Sequence, residues 1–280
     1  MIGIVGQGFV GNAVYQRFKN YYDVLTHDKD DTKSTSTLGN MVNLCSTIFL
    51  CLPTPMKSDG SCDVSILETV LQEIDLIADN YEFGVTKRTI VIKSTISPGT
   101  TQKWNKKYES LNIVFNPEFL TERNAVEDYE NQNRIILGGP RPTTTELKQI
   151  FSKVFPKAKI IKTDSTHAEM VKYLTNTFLS VKVSFANEIY QMCNKLNIDY
   201  DKVVEYATHD DRLGKSHWGV PGHDGDLGFG GHCFPKDLSA LIHLADNLKT
   251  ISNVLNATRD TNDEVRKNRD WEQMKGRAVS

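Results

Sequence analysis

The glycine motif at the start of the chain constrains the fold more than any other feature. A short apolar stretch, Met1 to Val5, runs into Gly6-Gln7-Gly8-Phe9-Val10-Gly11, and a helical pattern follows. This spacing is typical of a dinucleotide-binding turn, in which the glycines allow a tight turn, a close approach to pyrophosphate and close packing of helix on strand. We therefore expect a strand, a turn and a helix that bind a dinucleotide through Gly6, Gly8, Phe9, Val10 and Gly11.

An acidic residue after the second strand pattern indicates which dinucleotide is bound. Asp23 to Thr26 has the pattern of a strand, and Asp28 follows Gly8 by 20 residues. A carboxylate at that distance binds the ribose 2′-hydroxyl and repels a 2′-phosphate. The motif therefore predicts NAD rather than NADP. The alternative for these residues alone is an ordinary strand-to-helix turn followed by a surface aspartate.

Strand and helix patterns alternate through the first half of the chain. Helical patterns cover Val64 to Asn80 and Thr144 to Val154, and further strand patterns are found at Thr47 to Leu52, Thr89 to Lys93, Ile113 to Phe115, Arg134 to Leu137 and Lys159 to Ile161. Alternation of this kind is typical of α/β proteins with a doubly wound, mostly parallel sheet. We expect a Rossmann-type NAD-binding domain over residues 1–165, with a polar loop and a weak turn of helix at Asp30 to Asn40.

Polar segments follow three of the predicted strands. They are Pro53-Thr54-Pro55, Lys93-Ser94-Thr95 and Asn116-Pro117-Glu118, the last with Glu122 close behind. Ligands of open parallel sheets bind beyond the carboxyl ends of the strands. Each segment alone fits ordinary turn chemistry, but three at one edge of a sheet predict a binding site there.

A long helical pattern follows the predicted sheet. Thr166-His167-Ala168-Glu169 has the form of a capping box, and apolar residues then recur every three or four positions as far as Leu196. We predict a connecting helix over residues 166–196 and a smaller all-α domain over 197–280. Lys172 and Asn176 share one helix face, although a solvated pair is the simpler interpretation. Apolar residues on more than one side of the helix predict a homodimer built on it.

The segment Gly228 to Asp237, GFGGHCFPKD, combines a thiol, a cation and a carboxylate after three glycines. Glycine lets backbone N–H groups approach a ligand, and Pro235 stiffens the chain after Cys233. Thiols ionise more readily beside lysine or at the start of a helix, and we predict a helix from Asp237. Cys233 is therefore a candidate nucleophile. The alternative is a tight turn with a half-buried cysteine.

The composition excludes several classes of partner. Lys and Arg number 33 against 35 Asp and Glu, so the net charge of −2 gives no general attraction to nucleic acid or anionic membranes. The longest apolar runs are far shorter than the ~20 residues of a spanning helix, and we find no signal-peptide pattern. Five scattered cysteines fit a reducing compartment and indicate neither a disulfide framework nor a metal site. We expect a cytoplasmic protein.

Taken together, the motifs resemble the UDP-glucose/GDP-mannose dehydrogenase family in order and spacing. The matching segments are Gly6-x-Gly8-x-x-Gly11, Leu52-Pro53-Thr54-Pro55, Lys93-Ser94-Thr95, Asn116 to Glu122, Lys172-x-x-x-Asn176, Arg212-Leu213-Gly214 and Gly228 to Asp237. The resemblance implies an NAD-binding domain, a long helix, a helical dimerisation domain and a C-terminal domain that completes the nucleotide-sugar site. We expect that C-terminal domain to be missing here, because the chain reaches only Ser280.

The resemblance also implies a reaction and the residues that perform it. The family oxidises a primary alcohol of a nucleotide sugar, here most simply UDP-glucose, to a carboxylate with two NAD. Cys233 would form a thiohemiacetal and then a thioester, with Lys172 and Asn176 as oxyanion donors and Thr95, Glu122 and Asp237 moving protons and water. The implied cofactor contacts add Pro53, Thr54, Thr95, Glu122 and Lys236. The implied substrate contacts are Glu118, Phe119, Leu120, Lys172, Asn176, Arg212, Phe229, Gly230 and Gly231, with Arg212 acting across the dimer interface.

Two alternatives remain open. A two-electron β-hydroxyacid dehydrogenase has the same length and layout, and a non-catalytic NAD-binding partner would have lost its sugar domain. Neither needs Cys233 and its neighbours, which argues against both. One departure from the family is His232, where a small residue is usual.

Overall fold

The computed structural model describes residues 1–80 and 87–280. These residues form two compact units. The first consists of Met1–Thr54 and Val64–Lys172, and the second of Pro55–Asp63 and Tyr173–Ser280. The predicted division at residues 165 and 196 stays an interpretation of the sequence.

The first unit is built on a sheet of seven strands within the described residues. The strand order is β2-β1-β3-β4-β5-β6-β7, and all neighbours are parallel except β5 and β6. The strands are β1 (Ile2–Val5), β2 (Val24–His27), β3 (Thr47–Leu50), β4 (Arg88–Ile92), β5 (Leu111–Phe115), β6 (Arg134–Gly138) and β7 (Lys159–Thr163). The predicted Rossmann-like, mostly parallel α/β sheet is confirmed.

Helices cover both faces of this sheet, and each face has its own apolar core. Alternate residues of β4 show the division, since Ile90 and Ile92 belong to one core cluster and Val91 to the other. A strand buried on both faces is therefore apolar throughout. The helices are α1 (Phe9–Phe18), α2 (Leu38–Leu44), α3 (Ser65–Asp79), α4 (Thr100–Lys107), α5 (Ala125–Glu130) and α6 (Arg141–Val154).

The polar loop predicted at Asp30 to Asn40 is only partly correct, because α2 begins inside it at Leu38. The side chain of Thr37 caps this helix by accepting the backbone N–H of Asn40 at 3.2 Å. Three residues of this helix are buried: Leu38, Met41 and Val42. Seven residues are too few to show a clear helical period, so tertiary burial decides their structure.

The long helix predicted at 166–196 is confirmed as α7 (Ser165–Leu196), and the boundary between the two units falls within it. The predicted capping box is wrong. Asp164 caps the helix by accepting the N–H of His167 at 3.0 Å. Glu169 is fully buried and instead accepts the N–H groups of Gly99 and Thr101, at 2.6 and 2.9 Å, at the start of α4.

The second unit is mainly helical, with a long irregular segment between its second and third helices. After α7 it contains α8 (Tyr200–Ala207), α9 (Phe234–Asn247) and α10 (Asn253–Val265), so α9 begins three residues earlier than predicted. Residues 55–63 form a hairpin in which Met56 pairs with Cys62, and Met56 also pairs with Val279. Among residues 1–80 and 87–280, no helix combines the length and apolar character needed to cross a membrane.

Candidate active site

The turn between β1 and α1 has the geometry that its glycines predicted. Gly6 has a φ of +88°, which favours glycine. A Cβ at Gly11 would lie 1.8 Å from the carbonyl oxygen of Gly6, so the close packing of helix on strand requires glycine there. Within the described structure, a Cβ at Gly8 would meet no atom within 4 Å. Gly8 also caps α1, so an anion has open access to the positive end of that helix.

Asp28 lies directly beside this turn. It follows β2, which pairs with β1 so that His27 lies opposite Val5. The carboxylate of Asp28 accepts the N–H of Gln7 at 2.6 Å and that of Asp30 at 3.0 Å. The chain therefore holds a carboxylate next to the glycine turn, the position from which it reaches a ribose whose phosphates bind the turn. These residues fit NAD.

The polar ends of β3 and β4 are tied to each other. Thr54 is buried and donates its hydroxyl hydrogen to the carbonyl oxygen of Thr95 at 2.7 Å. Ser94 donates to the carbonyl oxygen of Leu52 at 2.6 Å and accepts its N–H at 3.0 Å. Pro53 lies between these contacts and is exposed. These contacts join two of the three predicted segments at one sheet edge, and a hydrogen bond from Lys93 to Asn116 joins the third to them.

Lys93, at the end of β4, is a charged residue to which the sequence assigned no role. It is 2% exposed, donates to the side-chain oxygen of Asn116 at 2.9 Å and lies 5.3 Å from the ring centre of Tyr129. Burial lowers the pKa of Lys93 to about 8, although the charges of Cys51 and Glu118 oppose this. The signal that could have revealed it is a lysine at the end of an apolar strand pattern.

Glu118 and Lys172 form a buried ion pair in the first unit. Their charged atoms are 2.8 Å apart and the side chains are only 8% and 3% exposed. Lys172 also donates to the carbonyl oxygen of Glu118 at 2.6 Å, while Leu120 donates its N–H to the carboxylate at 2.8 Å. Burial raises the pKa of Glu118, but the charge and hydrogen bond of Lys172 outweigh it, so the pKa falls below its ordinary value. The alternative of a solvated Lys172 is wrong.

Two further predicted residues of the first unit lie near this pair in sequence. The ring centre of Phe119 is 5.6 Å from the ammonium of Lys172 and 4.3 Å from the guanidinium of Arg134, which are cation–π distances. Glu122 is exposed and begins a short 3₁₀ turn. Glu122 therefore lies on the surface of its unit, while Glu118 lies inside.

Cys233 is the capping residue of α9 in the second unit and is half-buried. The first turn of this helix also contains Lys236 and Asp237, whose charged atoms are 2.5 Å apart. Burial lowers the pKa of Lys236, but the charges of Asp237, Cys62 and Cys233 raise it by more, and the net shift is upward. A thiol at a helix N-terminus beside a lysine ammonium has the environment of a reactive cysteine.

Asn176 belongs to the same cluster. Its side-chain amide donates to the second carboxylate oxygen of Asp237 at 2.6 Å, and Asp237 is 1% exposed. Asn176 is itself only 6% exposed, so the solvated alternative is wrong for it too. The second unit therefore brings together four predicted site residues: Asn176, Cys233, Lys236 and Asp237.

The loop before Cys233 is held by side chains that the sequence did not predict. Asn262 accepts the N–H of Phe229 at 2.7 Å and donates to its carbonyl oxygen at 3.1 Å. Asn187 accepts the N–H of Gly228 at 3.1 Å, and the carboxylate of Asp270 accepts that of Gly231 at 3.1 Å. These partners come from α7, α10 and the segment after α10, and only the tertiary fold shows that they meet.

Arg212 occupies a different environment. It lies in a short 3₁₀ turn, its side chain is 88% exposed, and its guanidinium binds the carboxylate of Asp210.

The described residues contain no group of three or more His, Cys, Asp or Glu side chains suited to a metal ion.

A Rossmann-like unit with a dinucleotide turn, followed by a helical unit with a thiol at a helix start, defines a class of NAD-dependent oxidoreductases. Residues 22–158 match the NAD-binding domain of the UDP-glucose/GDP-mannose dehydrogenase family, and residues 166–264 match its central domain. The chain belongs to this family, as the resemblance of its motifs predicted. Its cofactor is NAD.

The chain is similar in sequence to several UDP-glucose 6-dehydrogenases. The chain is 31% identical to the UDP-glucose 6-dehydrogenase AglM of Haloferax volcanii, over 94% of this chain and 69% of that protein. It is 30% identical to the UDP-glucose 6-dehydrogenase TuaD of Bacillus subtilis, over 83% of this chain and 49% of that protein. The chain thus spans between about half and two thirds of the length of these relatives.

Solved structures show the same fold. A UDP-glucose dehydrogenase from Pyrobaculum islandicum superposes with a TM-score of 0.85 at 25% identity, covering 94% of this chain and 68% of that one. A 3-hydroxyisobutyrate dehydrogenase from Mycobacterium tuberculosis superposes with a TM-score of 0.74 at 16% identity, covering 94% and 92%. The second likeness shows the fold alone, so the fold does not choose between the chemistries of these two proteins.

Proposed function

We propose that the chain is the NAD-binding and catalytic part of a nucleotide-sugar 6-dehydrogenase that oxidises UDP-glucose to UDP-glucuronate. The observation that carries the proposal is Cys233 at the start of α9, with Lys236 and Asp237 in the first turn of that helix. A two-electron oxidation of an alcohol needs no nucleophilic thiol, whereas oxidation to a carboxylate is aided by a covalent thioester. The substrate in the names of the relatives gives UDP-glucose as the first candidate.

The residues of the glycine turn would hold the cofactor. The open helix end at Gly8 would bind the pyrophosphate, and Asp28 would accept hydrogen bonds from the ribose hydroxyls. When bound, NAD supplies the acceptor for a hydride from the substrate carbon. Thr54 and Thr95, which lie at the carboxyl ends of the neighbouring strands, and Pro53 between them, would line the same sheet edge.

Cys233 would carry the covalent chemistry. Its thiolate adds to the carbon of the aldehyde that the first oxidation forms, which gives a thiohemiacetal. Loss of a hydride from that carbon makes a thioester, and water then releases the carboxylate and the thiol. We propose Lys172 and Asn176 as hydrogen-bond donors to the developing oxyanion.

The hydrogen-bond partners of these donors suggest how they would be positioned. Glu118 holds the ammonium of Lys172 at 2.8 Å, and Asp237 holds the amide of Asn176 at 2.6 Å. Fixed donors stabilise charge in a transition state better than mobile ones, because no reorganisation is needed during the reaction. We propose that Thr95, Glu122 and Asp237 order the water that cleaves the thioester.

The functional assembly proposed is a homodimer. Five large apolar residues of α7 are each more than half exposed, namely Leu174 (64%), Phe178 (63%), Phe185 (52%), Met192 (55%) and Leu196 (69%). Their spacing of four or seven residues places them in one stripe along the helix. A second copy of the chain would bury this stripe and offer the exposed Arg212 to the neighbouring site. Sedimentation at micromolar concentration should give a dimer, and Phe178→Glu should give a monomer.

Kinetics of two variants test the proposed chemistry at saturating UDP-glucose. Cys233→Ser should stall after the first oxidation or accumulate a covalent intermediate visible in the intact mass, because an alkoxide leaves less readily than a thiolate. Lys172→Ala should lower kcat about 100- to 1,000-fold, the usual contribution of an oxyanion donor. Unchanged turnover in Cys233→Ser would favour the two-electron dehydrogenase, and failure to bind any sugar nucleotide would favour a non-catalytic partner.

A further inference from the structure

Four residues form a row across the carboxyl end of the sheet, one directly after each of β1, β3, β4 and β5. The last residues of these strands are in register, since Val5 pairs with Leu50, Leu50 with Ile92 and Ile92 with Phe115. The residues of the row are Gly6, Cys51, Lys93 and Asn116. Neighbouring strands are about 4.8 Å apart, so the backbone of Lys93 lies two strands, or ~10 Å, from the first glycine of the dinucleotide turn.

Lys93 is the charged member of this row, and its positive charge is not balanced by its contacts. In the described structure its ammonium contacts two neutral groups, the side-chain oxygen of Asn116 at 2.9 Å and the ring of Tyr129, whose centre is 5.3 Å away. The charge of Glu118 also acts on Lys93, but Glu118 is bound to the ammonium of Lys172 at 2.8 Å. That pair is neutral as a whole, so Lys93 adds a net positive charge to the interior of the first unit.

A buried charge of this kind is costly for the fold. Lys93 is 2% exposed, and burial lowers its pKa to about 8. An apolar side chain of similar length is often at least as stable in such a position as a buried charge. Buried groups with shifted pKa values are common at functional sites, and this one lies at the sheet edge where a dinucleotide binds.

We propose that the ammonium of Lys93 makes the first unit bind NADH more tightly than oxidised NAD. The two forms of the cofactor differ by the positive charge of the oxidised nicotinamide ring, and a fixed cation disfavours the form that carries it. A unit charge about 10 Å away changes a binding constant roughly tenfold at the effective dielectric constant of ~20 found in proteins. Tighter binding of NADH favours acceptance of a hydride. This inference rests on the NAD-binding domain and not on the proposed sugar chemistry.

The preference for NADH should depend on pH, because Lys93 loses its charge at mildly alkaline pH. Four other titratable groups face it from neighbouring segments: Cys51, Glu118, Tyr129 and Lys172. Burial raises the pKa of Cys51 to about 12 and also raises that of Tyr129. Burial raises the pKa of Glu118 by less than Lys172 lowers it, so this carboxylate stays ionised in its ion pair. The preference should therefore fall between about pH 7 and about pH 9.5 as Lys93 is deprotonated.

The test is calorimetric titration of the full chain with oxidised NAD and with NADH, in the absence of any sugar. The measured quantity is the ratio of the Kd for oxidised NAD to the Kd for NADH. In the wild type this ratio should exceed one at about pH 7 and fall roughly tenfold by about pH 9.5. In Lys93→Met it should be roughly tenfold lower than in the wild type at about pH 7, and independent of pH.

Two further variants separate the charge of Lys93 from its other contacts. Lys93→Gln retains a hydrogen-bond donor for Asn116 without the charge, and it should give the same ratio as Lys93→Met. Arg88→Met removes a buried cation from the opposite end of β4, about 16 Å along the strand. Its ratio should stay closer to that of the wild type and should still fall as the pH rises.

Three results would overturn the proposal. The first is an equal ratio in the wild type and in Lys93→Met at about pH 7, and the second is a pH dependence that persists in Lys93→Met. The third is a wild-type ratio in Lys93→Gln, which would assign the effect to the hydrogen bond. Circular dichroism checks the folding of each variant, and the pH dependence of the wild type tests the proposal without any substitution. Turnover of UDP-glucose plays no part, so failure of the proposed sugar chemistry is distinguishable from failure of this inference.

Discussion

Removing the ammonium of Lys172 should cost the first unit much of its stability. Lys172→Met would leave the carboxylate of Glu118 buried with the N–H of Leu120 as a hydrogen-bond donor. Breaking a buried ion pair on one side typically costs about 3–5 kcal/mol, because the remaining charge is poorly compensated. In a unit of this size, each kcal/mol of lost stability lowers the melting temperature by about 2–4 °C. We therefore expect the melting temperature to fall by on the order of 10 °C.

The matched control is Lys182→Met on the same helix. Lys182 is also buried, but its ammonium binds the carbonyl oxygens of Leu213 and Gly214, at 2.9 and 3.0 Å, and no carboxylate remains if it is removed. We therefore expect Lys182→Met to lose less free energy of unfolding than Lys172→Met. Urea unfolding followed by circular dichroism measures the free energy of unfolding of both variants. A loss below about 1 kcal/mol for Lys172→Met, or one equal to that of Lys182→Met, would refute the reasoning.

The effect should also depend on pH in a defined direction. The folded chain holds the pKa of Glu118 below the ordinary value of 4.5. A lowered pKa contributes stability that is present above the unfolded value and is lost as the pH falls through the folded value. The difference in stability between wild type and Lys172→Met should therefore be largest at high pH and shrink on acidification, because without Lys172 burial raises the pKa of Glu118 in the variant. A difference that grows on acidification would contradict the assignment of the pair.

Three further changes test other parts of the account. Gly11→Ala should weaken NAD binding more than tenfold in calorimetry, because its Cβ would lie 1.8 Å from a carbonyl oxygen, whereas Gly39→Ala has open space and should not. Asn262→Ala should destabilise the loop before Cys233 by about 1–3 kcal/mol and change the alkylation rate of the Cys233 thiol, whereas Asn256→Ala on the same helix should leave the alkylation rate unchanged. Relative to Lys93→Met, the wild type should gain stability as the pH rises from about 8 to 10.5, because burial lowers the pKa of Lys93 to about 8.

The elements that the sequence predicted best are those whose signals are local. The glycine spacing from Gly6 to Gly11 specifies a turn by backbone geometry alone, and the apolar period over 166–196 specifies a long helix. The short helix α2 was predicted only as a weak turn within a loop, because its seven residues gain stability from tertiary burial rather than from their own pattern.

The contacts of the site were less predictable than its residue types. Lys172 and Glu118 are 54 positions apart, and a sequence motif does not show that they form a buried pair. The partners of the loop before Cys233, such as Asn262, look like surface residues in the sequence, because only the fold brings them to buried backbone groups. Glu169 has the position of a capping-box residue but caps another helix, since two N–H groups of α4 lie within its reach.

The most direct test of the central claim is the number of NADH molecules formed per UDP-glucose consumed. The reduced wild-type chain is given limiting UDP-glucose and excess NAD, and NADH absorbance and sugar products are measured at completion. Oxidation of an alcohol to a carboxylate through the thioester of Cys233 predicts two NADH and one UDP-glucuronate for each UDP-glucose. One NADH for each UDP-glucose, with an aldehyde or ketone as the final product, would contradict it.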